Sequence, residues 1–192
     1  GTQGGGNDGG GTTVSGVSLA SDTPAAQTVL KGATGVSFMK FNVNMSSPIT
    51  EIVVKRVGVG SSSDFSNVYL YEGNTRLTTG RSVSSDTNTA TFYGLNLSGS
   101  KTLTLKAEVS ATAGTSNQSA FQVYSVNGSA LSSTVQGNTM TIGSQSIAAA
   151  IIAESSAGWT ATLGQVGAEI GKFTIDATAG SVINDLVLNS IT

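Results

Sequence analysis

Apolar and polar side chains alternate with a period of two along most of this chain, and the segment KTLTLKAEV shows it most cleanly. Leu103, Leu105, Ala107 and Val109 fall on one side, while Thr102, Thr104, Lys106 and Glu108 fall on the other. That is the pattern of a strand with one face on a core and one face in water. FMKFNVNM repeats it, with Met39, Phe41, Val43 and Met45 inward and Lys40, Asn42 and Asn44 outward. In NVYLYEGNTRL the alternation is interrupted at Gly73 and Asn74, residues that tolerate the positive backbone angles of a two-residue hairpin turn. Further strands are predicted near residues 16–21, 27–31, 49–58, 89–97, 119–126 and 137–142, and scarcely any helix is predicted.

Eight or nine short strands broken by Gly, Ser and Asn turns predict an all-β protein, an antiparallel β-sandwich of the immunoglobulin-like kind. A jelly roll or a small barrel is the alternative, because strand order is not written in the periodicity. Over a quarter of the residues are Ser or Thr, Gly contributes 25 and Pro only 2, a mixture that favours strands and turns.

The pattern then begins again. Lys172, Phe173 and Ile175 repeat Lys40, Phe41 and Val43, and Ile183, Leu186 and Leu188 follow as Ile49, Ile52 and Val54 do in the first copy. Upstream, IIAES at 151–155 corresponds to SLASD at 18–22. The predicted organisation is a Gly-rich tail over residues 1–13, a sandwich over 14–145, and the first half of a second sandwich repeat over 146–192. Strands near 170–177 and 182–191 present about six apolar side chains, whose burial is worth on the order of 10 kcal/mol. Half a core does not supply that burial, so Phe173, Ile175, Leu186 and Leu188 are the expected assembly residues, covered by another chain or by residues beyond those given.

The segments SNVYLYEGNTRL and GLNLSGSKTLTLKAEV, together with this repetition, resemble the tandem immunoglobulin-like repeats of large bacterial cell-surface and surface-layer-type proteins. The likeness spans residues 16–145 and the opening half of the repeat in 146–192. It implies a structural or adhesive protein, and it carries over no catalytic residue.

Composition narrows the chemistry. Charged residues make up 10% and the formal net charge is -2, so there is no basic patch to neutralise a nucleic-acid backbone. The absence of Cys and His removes disulfides, thiolate nucleophiles, the commonest general base and the commonest transition-metal ligand. The longest apolar run, IAAAIIA at 147–153, is far short of the roughly 18 to 20 residues that span a bilayer. The chain opens on Gly1 as a processed protein does, and the expected location is the cell exterior. GTQGGGNDGGG has the composition of a flexible linker; ordering it costs on the order of 10 kcal/mol, so a neighbouring subunit is the expected holder of an ordered tail. The expected function is a non-enzymatic structural subunit of an extracellular filament or surface layer, pairing with copies of itself through β-strands.

A few constellations point to other chemistry. Asp64 in SSSDFSN and Asp86 in SSDTNT sit in oxygen-rich turns and are calcium candidates, although the regular Asp spacing of calcium loops is missing and turn capping accounts for them. No other cofactor is expected. Glu51, Glu72, Glu108 and Asp185 are the carboxylates a glycosidase would pair, with nothing to bring any two together. Tyr69 and Tyr71 project from one strand face, with Tyr124 and Trp159 elsewhere. Tyr69, Tyr71 and Trp159 are the expected contacts if the protein is instead an adhesin or carbohydrate-binding module that touches surface glycans.

Overall fold

The segments read as separate short strands on either side of MSSPI join into one, as do those flanking YGLNLSGS. In the computed structural model, which describes residues 13–14, 16–146, 151–154, 166 and 173–176, the strands are β1 (Thr13–Val14), β2 (Val17–Leu19), β3 (Thr28–Lys31), β4 (Val36–Val57), β5 (Phe65–Glu72), β6 (Thr75–Arg76), β7 (Thr89–Val109), β8 (Gln118–Val126), β9 (Ser129–Gln136), β10 (Met140–Ser146), β11 (Ile151–Glu154) and β12 (Phe173–Asp176). Among the described residues the only helical piece is a 3-10 turn at Ser62–Asp64, and no helix is long and apolar enough to cross a membrane. The protein is therefore all-β. The chain divides into two units, Gly1–Ser144 and Gln145–Thr192.

The first unit is organised by β4 and β7, which pair antiparallel along nearly their whole lengths, from Val36 opposite Ala107 to Lys55 opposite Thr89. Midway, the register slips on both strands, between Met45 and Ile49 on β4 and between Tyr93 and Leu97 on β7. Such bulges bend a ribbon and increase its twist. Pro48, which offers no N–H to a ladder, and Gly94 and Gly99, both at φ +72°, occupy this corner. The bend is severe. Phe38 and Arg56 lie at opposite ends of β4, about 60 Å apart if the strand were straight. Yet the ring of Phe121, opposite Arg56, stands 5.4 Å from the ring of Phe38, edge to face. The ribbon thus folds back on itself into a curled sheet, and Phe65 completes a three-ring cluster at 5.1 and 5.3 Å from the other two.

The expected inward faces hold. Leu103, Leu105, Ala107, Val109, Met39, Phe41 and Val43 are buried, Met45 packs against the core from a half-buried position, and Ile52, Val54, Leu70 and Phe92 join it. Along the rest of the sheet, β8 pairs with the far half of β4, β9 with β8, β5 with β7, and β10 with both β3 and β8. β5 returns to β6 through the expected turn at Gly73 and Asn74, with Gly73 at φ +56°. A second two-residue turn, Asn127 and Gly128, both at positive φ, joins β8 to β9. β2 lies beside β4, and β1 runs parallel to β9. Between β1 and β2, Gly16 sits at φ +96° and accepts a hydrogen bond from the Asn44 amide; a Cβ there would stand 2.2 Å from the Asn44 carbonyl oxygen. Only glycine fits this crossing.

The described part of the second unit is a two-stranded antiparallel sheet in which Phe173 lies opposite Glu154 and Ile175 opposite Ile152. Residues 1–12, Trp159, Leu186 and Leu188 lie outside the described residues, and so do the side chains of Phe173 and Ile175.

Candidate functional site

Strand β8 buries Phe121 and Val123, leaves Gln122 and Tyr124 outward, and buries Val126 again. The parity changes at Tyr124. Val54 pairs with Val123 and Val53 with Ser125, so Tyr124 is the extra residue of a bulge, and the β8–β9 register also slips at this point. The bulge leaves Tyr124 and Ser125 in succession on the groove side and returns Val126 to the core. Tyr124 stands half-exposed on the outer face, with the Lys55 Nζ 5.4 Å from its ring centroid. A groove of about 450 Å³ opens on one side of Tyr124, floored by Val53 and walled by Lys55 and by Asp86, Thr87 and Thr89 at the entry to β7. A shallower one, of about 280 Å³, opens beside Gln122, Leu131 and Ser133. The wall of the larger groove is shaped by Ser84, whose Oγ accepts hydrogen bonds from the Asp86 and Thr87 amides at 3.3 and 3.4 Å. Asn88, at φ +55°, then turns the chain into β7 and passes its carbonyl to the Arg56 amide.

Behind this wall lies a buried polar cluster. Arg56 occupies an inward position of β4 and donates to Ser119 Oγ at 3.0 Å, the Gly60 carbonyl at 2.7 Å and Asn88 Oδ1 at 3.4 Å. Burial pulls its guanidinium below the usual range, and attraction to Asp64 opposes that pull. Asp64 is itself buried, and its carboxylate accepts from the Ser61 amide at 2.9 Å, the Gly114 amide at 2.9 Å and Asn117 Nδ2 at 2.8 Å. Three N–H donors aimed at one carboxylate present positive hydrogens where a calcium ion would need oxygens. Asp64 therefore ties the 3-10 turn to the β7–β8 loop. Asp86 is exposed at the groove rim, bonded to Ser85 Oγ at 3.3 Å, and is not brought near Asp64 by any contact. Among the described residues, no group of three or more acidic side chains is placed to hold a metal.

Tyr69 and Tyr71 do share the outer face of β5, but both are less exposed than Tyr124, and like it each has a cation over its ring. Arg76 lies 5.4 Å from the Tyr69 centroid, and Lys106 lies 4.5 Å from that of Tyr71. The Tyr69 hydroxyl donates to Glu108 at 2.7 Å, and this bond chiefly holds its proton beyond the ordinary tyrosine range. Of the candidate acid–base carboxylates, Glu108 is spent on Tyr69 and Asn67 and Glu72 on Lys101 at 3.0 Å, while Asp185 lies outside the described residues. The outward Lys40 pairs with Asp22.

The pattern of alternation alone did not single out Tyr124 and Lys55 as a pair, nor Arg56 as a core residue. The nearest sequence signal was Asn127-Gly128, a strong hairpin dipeptide that sets β8 against β9 and so frames the smaller groove. No protein-family profile matches this chain, and comparison with curated proteins finds no match.

Proposed function

We propose that the protein is a non-enzymatic structural module of an extracellular filament or surface layer, built from tandem immunoglobulin-like sandwich repeats that associate through strand pairing. One observation carries the reading. The two segments aligned by the internal repeat, 18–22 with 151–155 and 41–43 with 173–175, form the same antiparallel partnership in each unit, β2 with β4 and β11 with β12. Leu19 faces Phe41 in the first unit, whereas the counterpart of Phe41, Phe173, faces Glu154, two residues beyond the counterpart of Leu19. An offset of two preserves the parity of the pairing, so the difference in register is compatible with a repeat.

Two further features support the assignment. The fold-back of the curled sheet, which brings Phe38 against Phe121, supports a sandwich reading. Among the described residues, β9 beyond Leu131 has β8 on one side and no strand on the other, which leaves Ser132–Gln136 as an edge on which a further strand can pair. A weak net charge of -2 adds little repulsion between identical copies. Negative-stain images and sedimentation velocity of the purified chain are expected to show polymers or a concentration-dependent series of oligomers. A monodisperse monomer at every concentration would reject the assembly reading.

A further inference from the structure

Two concavities beside Tyr124 lie on the outer face of the first unit; the smaller shares Ser132, Ser133 and Thr134 with the strand edge proposed for assembly, whereas the larger has no part in that edge. Their chemistry is selective by elimination. An apolar small molecule seeks an enclosed cavity, whereas these grooves are open, and the apolar surface of the larger one is rimmed by hydroxyl, amide and charged groups. A nucleic acid or phosphorylated ligand needs converging cations, whereas Lys55 is the one cation in the larger groove and Asp86 stands opposite it. What remains is a ligand that is apolar on its faces and rich in hydroxyls at its edges.

We propose that this surface binds a neutral oligosaccharide laid across Tyr124. The C–H face of one sugar stacks on the half-exposed phenol ring, in the way that rings with an apolar body and a polar tip are used at wet interfaces. Asp86 accepts from sugar hydroxyls, Lys55 donates to them, and Thr87 and Thr89 do both. Because grooves open on both sides of the ring, a chain of sugars fills the surface better than a single one. Strand β8 is paired on both sides, with β4 and β9, so Tyr124 is presented on ordered backbone before the ligand arrives, which lowers the ordering cost of binding.

The test uses the whole chain and, as probes, cellohexaose, xylohexaose, mannohexaose and chitohexaose, with glucose as the single-ring control, read by isothermal titration calorimetry. At least one hexasaccharide is expected to bind more tightly than glucose. Tyr124→Ala should weaken that binding by about tenfold or more, while Tyr124→Phe, which keeps the stacking face, stays within about threefold. Tyr71→Ala, on β5 and outside the lining of both grooves, should leave affinity unchanged. An unchanged circular dichroism melt for Tyr124→Ala confirms that the fold is intact; if that variant melts early, Lys55→Gln, at an exposed groove wall, takes its place with the same expectation of weaker binding. Failure of all four probes to bind, wild-type affinity in the folded Tyr124→Ala chain, or loss of binding in Tyr71→Ala overturns the proposal. Sugar binding by a chain that stays monomeric would reject the assembly reading and keep this one, and polymers that bind none of the probes would do the reverse.

Discussion

The Asp64 carboxylate gathers donors from Ser61 in its own turn and from Gly114 and Asn117 about fifty residues later in the chain. Its backbone carbonyl also accepts from the Ser110 amide at 2.8 Å, so side chain and main chain fasten the same loop. Replacing Asp64 by Ala leaves three part-buried hydrogen bonds without their acceptor, and urea denaturation is expected to show a loss of about 2–3 kcal/mol. A loss below about 1 kcal/mol would mean that water replaces the carboxylate and that the cluster is not structural. The turn role of Asp64 was legible in SSSDFSN, because Asp among Ser residues caps turns through short-range hydrogen bonds. Its partners were not, since nothing local ties residue 64 to residues 114 and 117. Arg56 was hidden for a similar reason: it occupies an inward position whose burial depends on Ser119 and Gly60 arriving to accept its protons.

Two elements show where periodicity misleads. MSSPI and YGLNLSGS look like breaks because Pro, Gly and Ser punctuate strands, but here they are the bulged corner of a continuous ribbon. β9, SALSSTVQ, was missed because its side chains are mostly small and polar, as suits an outer strand, although Asn127-Gly128 announced the turn before it. The N-terminal strand makes its own demand at Gly16. Gly16→Ala must both relieve a Cβ placed 2.2 Å from a carbonyl oxygen and hold an unfavourable φ, so β2 should detach from β4 at a cost of about 2–3 kcal/mol in thermal or urea unfolding. The comparison is Gly73→Ala, where φ is also positive but the space is open; about 1 kcal/mol is expected there. Equal losses at the two sites would show that the close approach at Asn44 contributes nothing.

At the scale of the molecule, the first unit is held closed by contact between the two ends of β4, and the Phe38, Phe65 and Phe121 rings form that closure. Phe121→Ala removes the ring that takes part in two of the three edge-to-face pairs and should cost about 3–5 kcal/mol, measured by denaturant unfolding. A similar truncation at the half-exposed Leu77, on the periphery of the same core, is expected to cost less. If the two losses match, closure does not depend on the aromatic cluster. The outer surface that this curling creates carries the exposed Tyr124 and its grooves on one part of the unit and the half-buried Tyr69 and Tyr71 on another, so three rings that each carry a cation differ in what they offer a ligand.

The residue pattern by itself determined that the chain forms strands, which face of most of them turns inward, where the β5–β6 hairpin reverses, and that neither Cys nor His takes part in its chemistry. Each of these follows from backbone geometry over a few residues or from composition, so no distant contact is needed to read it. Tertiary structure alone decided that β4 and β7 run unbroken through a bulged corner, that Arg56 and Asp64 find buried partners, and that Tyr124 turns outward between two grooves. Those outcomes depend on register and burial between residues tens of positions apart, and a period of two is the same on both sides of a bulge, whichever strand lies opposite.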